Sequence, residues 1–215
     1  RLTKPMVKQD GKWQEVEWQV ALEYAANGLR HIANGAGAEQ IGALATANST
    51  LEELYLLQKL MRGIGSNNVD FRLRQSDFSG DGKQQGAPWL GMSVADISKV
   101  DRFLIVGSFL RKDHPLLAAR IRQAVRKGAQ VNIIHSTDDD LLMKVTHKAI
   151  VAPDALVETL TQVSRALAAE KQGQATSGEA GAIAASLAGG ERVAILLGNF
   201  AQQHPQAVQI ALLAE

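Results

Sequence analysis

The sequence predicts an α/β fold assembled from βαβ units, and three observations carry that prediction. A strand–glycine–helix phrase occurs twice. The first copy is Phe103-Leu104-Ile105-Val106-Gly107-Ser108-Phe109, then His114-Pro115 opening Leu116–Ile121. The second is Val193-Ala194-Ile195-Leu196-Leu197-Gly198-Asn199-Phe200, then His204-Pro205 opening Gln206–Ile210. Both strands are unbroken apolar runs, far below the roughly 20 residues of a membrane span, which is the pattern of a strand covered on both faces. A third strand–helix–strand pattern lies between Ile41 and Leu73.

Taken in order, the chain opens on a hairpin, with Met6–Gln9 and Lys12–Val16 flanking Asp10-Gly11, residue types that tolerate the positive φ of a two-residue turn. An amphipathic helix follows over Gln19–Ala33, with Val20, Ala21, Tyr24, Ala25, Leu29 and Ile32 on one stripe and Gly35 and Gly37 ending it. Ile41–Ala45 is a short buried strand. Thr50 and Glu53 have the spacing of a capping box for a helix running to Arg62, stopped by Gly63 and Gly65, and Val69–Leu73 is the next strand. Residues 74–95 are polar and glycine-rich, a long loop that marks a boundary. The second half is predicted as strand 103–107, helix 115–127 ended by Gly128, strand 131–134, strand 148–151, a helix capped by Asp154 and carrying Leu156, Leu160, Val163 and Leu167 inward, and a weak helix over 180–187 before the second copy of the repeated phrase. Proline at the first helical position presets φ and gives up no hydrogen bond, so His114 and His204 read as helix-start residues.

The composition narrows the chemistry. A formal net charge of +1 over 215 residues gives no electrostatic reason for nucleic acid or an anionic membrane as partner. The absence of cysteine excludes disulfides, thiolate metal sites and a cysteine-held iron–sulfur cluster from this stretch of chain. Arg1 at the start and an end inside a helical pattern suggest a piece of a longer polypeptide.

Strand–glycine–helix units can place amide N–H groups around a phosphate at the carboxyl edge of a sheet. Neither copy has the G-x-G-x-x-G spacing, and His135 stands where an NAD-binding unit carries a ribose-binding carboxylate. None of His31, His114, His135, His147 and His204 has a metal-site spacing, Asp138–Asp140 read as solvated carboxylates, and no G-x-S-x-G elbow activates a serine. The residues therefore give no catalytic group and no metal ligand. The apolar stretch 87–92 around Trp89 reads as a buried anchor or a contact for a neighbour.

Several segments resemble the molybdopterin oxidoreductase domain: Arg1–Met6, Asp10-Gly11-Lys12 and Trp18; Thr50–Leu60 and Gly65–Asp70; then Ala95–Ile97, Val106-Gly107, His114-Pro115 and Lys127-Gly128-Ala129. The resemblance covers nearly the whole chain and implies a three-layer αβα fold of Rossmann-like lobes, of the formate dehydrogenase/DMSO reductase-like kind. It is strongest to the branch found in the large peripheral-arm subunit of bacterial NADH–quinone oxidoreductase (respiratory complex I). The discriminating segment is Arg72–Phe78, where active molybdenum enzymes tend to carry a cysteine, selenocysteine or serine ligand and this chain offers only Ser76. After strand 131–134 the active enzymes usually have an Asp-Pro-Arg-like turn, and this chain has His135-Ser136-Thr137.

What the resemblance implies is a non-catalytic structural domain of an electron-transfer subunit. Gly107, Ser108, His135, Ser136, Gly198 and Asn199 would be the vestigial pterin-site positions. No cofactor is expected in this stretch, with iron–sulfur clusters elsewhere in the full-length subunit. The expected partners are the rest of the same subunit and other peripheral-arm subunits, with no nucleic acid and no direct membrane insertion, at the cytoplasmic face of the bacterial inner membrane. The layout it implies is a first lobe over 1–92, a second over 93–153, and a return segment, 154–215, completing the first. Two alternatives stay open: an active molybdopterin-dependent oxidoreductase of the formate dehydrogenase kind, and a stand-alone NAD(P)-binding module.

Overall fold

A computed structural model describes residues 1–46, 48–72, 76–83 and 89–215. The chain divides into two compact units, Arg1–Leu73 and Arg74–Glu215. The predicted boundary near residue 92 thus moves to the start of the long loop, because Leu90 and Met92 pack against the core of the second unit. Trp89 itself is 76% exposed, so the anchor in this stretch is its two neighbours, while Ala87 and Pro88 lie outside the described residues.

The first unit begins with the expected hairpin, β1 (Met6–Gln9) antiparallel to β2 (Lys12–Glu15). Asp10 and Gly11 have φ of 51° and 79°, the left-handed pair that a turn matched to strand twist requires. Helix α1 (Trp18–Gly35) buries none of its residues within the unit, although its apolar stripe is present. Strand β3 (Ala43–Leu44) runs parallel to β4 (Val69–Asp70), joined by α2 (Leu51–Ile64), so the third βαβ pattern is real; Leu73 of the predicted strand lies outside the described residues. The Thr50 hydroxyl accepts from the Glu53 N–H at 3.2 Å and the Glu53 carboxylate accepts from the Thr50 N–H at 2.8 Å, a complete capping box. Gly65, with φ 97°, caps the other end, whereas Gly63 stays inside the helix.

The second unit is a four-stranded, all-parallel sheet in the order β7-β6-β5-β8, from β5 (Arg102–Val106), β6 (Gln130–His135), β7 (His147–Ile150) and β8 (Val193–Leu197). Because successive side chains alternate faces, Phe103 and Ile105 pack with Ile121 and Ala124 of α4 (Pro115–Arg126), after the one-turn α3 (Leu110–Asp113). Leu104 and Val106 pack on the other face with α5 (Leu156–Lys171), α6 (Gly178–Ala188) and, beyond the one-turn α7 (Asn199–Gln202), α8 (Ala207–Ala214). This is the expected three-layer αβα arrangement.

Three expectations are corrected. The return segment 154–215 does not complete the first lobe: β8 pairs with β5 in register, Val106 opposite Leu197, and α5, α6 and α8 cover the same sheet. Two strands of matching apolar character make a flush parallel pair that buries β5, while β8, at the edge of the sheet, buries only Ala194 fully. Asp154 does not cap α5; it lies in a 3₁₀ turn, Pro153–Ala155, and the N-cap is Ala155 with no side-chain bond. The two His-Pro pairs also differ. Pro115 is the first residue of α4 with His114 before it, but His204-Pro205 form a turn ahead of α8. There His204 Nδ1 accepts from the Gln206 N–H at 3.0 Å and Nε2 lies 3.1 Å from the Pro153 carbonyl, tying the start of α8 to the start of α5.

Candidate functional site

The chain leaves β5 toward β6 on one side, while β8 joins on the other, so the carboxyl ends of β5 and β8 form a topological switch point, where open α/β sheets take ligands. Both glycines of the repeated phrase stand there. Gly107, at φ 57°, donates to the Ile134 carbonyl at 2.9 Å and accepts from the Phe200 and Ala201 N–H groups at 3.1 and 3.2 Å. Gly198 donates to the Val106 carbonyl at 2.9 Å. A Cβ on Gly198 would lie 2.2 Å from the Ser108 Cβ, and one on Gly107 would lie 2.7 Å from the Ala201 nitrogen. The missing side chains therefore let the two glycine turns close on each other. In a nucleotide site the same freedom admits a phosphate.

His135, the last residue of β6, seals the third side. It is 3% exposed, edge-on to Phe109 with ring centroids 4.6 Å apart and stacked on Phe200 at 5.6 Å. Its Nδ1 accepts from the Ser136 and Thr137 N–H groups at 2.8 and 3.0 Å, with the Thr137 hydroxyl at 3.1 Å. That network assigns the ring hydrogen of the neutral form to Nε2, which is buried with no partner, as is the Ser136 hydroxyl. Burial pushes the His135 pKa below its ordinary value, against the opposing pull of Asp139 and Asp113.

The loop after β6 is held down by three cations from two elements. Lys148 of β7 pairs with Asp138 at 2.5 Å, Lys112 of α3 with Asp139 at 3.7 Å, and Arg111 of α3 with the Asp140 carboxylate at 4.0 Å and with its carbonyl. Exposed pairs of this kind are each worth little, but together they fix the loop's course over the sheet edge. The carboxylates expected to be merely solvated are thus a latch. Among the described residues no group of three or more His, Asp or Glu is placed to hold a metal.

Of the six positions singled out from the sequence, the structure brings Gly107, Ser108, His135, Ser136 and Gly198 to the switch point. Asn199 is exposed at the start of α7. Sequence reasoning missed Phe109 and Phe200. A signal was available, since an aromatic stands two residues after the glycine in both copies. It also missed the Arg111, Lys112 and Lys148 latch, which joins residues far apart in the chain. Ser76 is half-buried in the second unit, while Arg74 and Gln75 of the discriminating segment lie outside the described residues.

Beside His135, toward β7, lies a cavity of about 10 Å³ lined by Ser108, His135, Thr137, Asp138, Asp139 and Lys148. That is room for about one water; sites for drug-sized ligands and cofactors run to roughly 300–1,000 Å³. In the first unit an open groove of about 500 Å³ follows residues 42–44 and 67–70. The Asn68 side-chain amide beside it is engaged with the Glu39 carbonyl at 2.7 Å.

Comparison with known proteins gives consistent findings. The model of the family described as molybdopterin oxidoreductase matches residues 1–214. The F420-dependent formate dehydrogenase subunit alpha of Methanocaldococcus jannaschii is 35% identical over 138 residues, covering 62% of this chain and 20% of that protein. The G subunit of the NADH-quinone oxidoreductase of Rickettsia felis is 32% identical over 129 residues, covering 60% of this chain and 18% of that protein. The chain thus spans about a fifth of the length of these relatives. The solved structure of acetylene hydratase from Pelobacter acetylenicus superposes over all of this chain and 34% of its own, with a TM-score of 0.66 at 14% identity, a likeness of fold. At the switch point of the second unit the ring of His135 packs on Phe109 and Phe200, and the two glycine turns close on each other rather than around an open cradle.

Proposed function

The chain belongs to the molybdopterin oxidoreductase family, and from that premise we propose that it is a non-catalytic structural domain of the large iron–sulfur subunit of an NADH–quinone oxidoreductase, which carries electrons from NADH toward quinone. The observation that carries this reading is the filled switch point. Phe109 before α3, His135 at the end of β6 and Phe200 in α7 pack together there, and the glycine turns contact each other. The absence of cysteine and the similarity to the Rickettsia felis protein support it further.

The domain's physical work is bracing. In the first unit α1 buries nothing and Trp18, Tyr24, Tyr55 and Leu60 are all more than half exposed. Surface of that character is normally covered, and we assign its cover to the remainder of the same polypeptide, in which the iron–sulfur clusters reside. The second unit, closed on itself, presents its mixed-polarity surface to other peripheral-arm subunits. No described helix is long and apolar enough to cross a membrane, in keeping with attachment at the cytoplasmic face of the inner membrane through partners.

A second reading, an active molybdopterin-dependent oxidoreductase of the formate dehydrogenase kind, is favoured by the similarity to a formate dehydrogenase subunit. Affinity purification of the full-length polypeptide from its own cells separates the two. The expected result is co-purification with an NADH dehydrogenase assembly and no formate-dependent dye reduction. Formate-dependent reduction by the purified polypeptide would replace the first reading with the second.

A further inference from the structure

His135 is held in a way that only its neutral form allows. Nδ1 uses its single lone pair to accept from two backbone N–H groups, Ser136 at 2.8 Å and Thr137 at 3.0 Å. A proton on Nδ1 would point a third donor at two donors, with both bonds lost and only the Thr137 hydroxyl at 3.1 Å left to accept. Nε2 offers no compensation, because it is buried without a partner. The ring is also the common neighbour of Phe109, from the turn after β5, and Phe200, from α7 after β8.

We propose that His135 is the pin of a proton-operated plug: neutral, it holds the three loops at the carboxyl edge of the second sheet together, and protonated, it leaves and lets them part. The ring cannot keep its place as a cation, so taking up a proton requires it to swing toward water, and Phe109 and Phe200 then lose the ring between them. The charged groups around it do not reverse this. On its own loop stand Asp138 and Asp139, the first held by Lys148 of β7 and the second by Lys112 of α3. Lys112 also lies 5.4 Å from the centre of the Phe109 ring. Asp113 of α3 and Asp139 draw a cation toward the site, but burial outweighs them. Ser108 from the turn after β5 and Phe200 from α7 bring no charge. The inference concerns the crevice alone and does not depend on the electron-transfer reading.

The test is hydrogen exchange of the whole 215-residue chain, read at individual amides by NMR beside the ¹⁵N signals of the imidazole. The expected result is a neutral ring with its hydrogen on Nε2 near neutral pH. Below the ordinary imidazole value of about 6.5, protection at Ser136, Thr137 and Ala201 should fall roughly tenfold per pH unit, while Leu104 and Ile134 inside the sheet stay protected. In His135→Asn the amide oxygen can accept the same bonds and takes no proton, so the profile should be flat. The inference is overturned if the variant keeps the wild-type slope. It is equally overturned, on the wild type alone, if the ring becomes doubly protonated with the loop amides still protected, or stays neutral until the entire sheet exchanges.

Discussion

The imidazole of His135 lies at 23° to the ring plane of Phe200, with centroids 5.6 Å apart, and this stack joins the end of β6 to the loop after β8 across the intervening β5. With the edge-on contact of Phe109, it links the two copies of the repeated phrase through His135, as the contact of Gly107 and Gly198 links them directly. A double-mutant cycle with Phe200→Ala and His135→Asn, measured by urea unfolding, should give a coupling of about 0.5–1.5 kcal/mol above pH 7. The folded-state pKa of His135 is lowered, so the unfolded chain binds the proton more readily. Its contribution is complete above about pH 6.5 and is lost as pH falls through the folded value. Coupling that grows on acidification contradicts the assignment.

Gly107 and Gly198 should each resist substitution, for different reasons. Alanine at Gly198 has an acceptable backbone but drives its Cβ into Ser108 and the Gly107 carbonyl. Alanine at Gly107 meets Ala201 and must also hold φ at 57°. Each should cost about 1–3 kcal/mol in urea unfolding. A neutral outcome at Gly198 would mean that the two turns do not touch.

In the first unit the capping box predicts a separable effect. Thr50→Ala removes the acceptor for the Glu53 N–H and should cost about 1 kcal/mol, visible as lost helical signal and faster exchange over Leu51–Leu54. Thr50→Ser should restore it.

Asp77 acts as a cap in trans. Its Oδ2 accepts from the Val208 N–H in the first turn of α8 at 3.0 Å, and its Oδ1 accepts from the Ser79 hydroxyl and N–H at 2.6 and 3.0 Å. The Ser79 hydroxyl, then the Ser79 and Val208 amides, hold its carboxyl below the ordinary range. The stabilisation is present above about pH 3.8 and lost as pH falls through the lowered value. Asp77→Asn should remove that dependence and speed exchange at Val208 and Ser79; unchanged exchange would show that the loop docks by other contacts.

The strands and helices were legible in the sequence because each is written in its own residues: unbroken apolar runs for β5, β6 and β8, Asp10-Gly11 for the hairpin, Thr50 and Glu53 for the cap. Strand partnership was not. Nothing in Val193–Leu197 states that it lies beside Arg102–Val106, since two similar apolar strands can share one sheet or serve two, and the expected return to the first lobe failed there. The crevice positions were legible as glycines and a histidine in place of a carboxylate. Their closure was not, because Phe109, His135 and Phe200 come from three elements distant in sequence. The stripe on α1 was also legible, and its own unit buries none of it fully.

The central claim is that this member of the family keeps the scaffold with its crevice filled by its own side chains. The most direct measurement is molybdenum and pterin content of the full-length polypeptide purified from molybdate-replete cells, by elemental mass spectrometry and by fluorescence of the oxidised pterin extract. The account predicts substoichiometric metal and no pterin fluorescence above that of a control protein. One molybdenum and its pterin per polypeptide would contradict it.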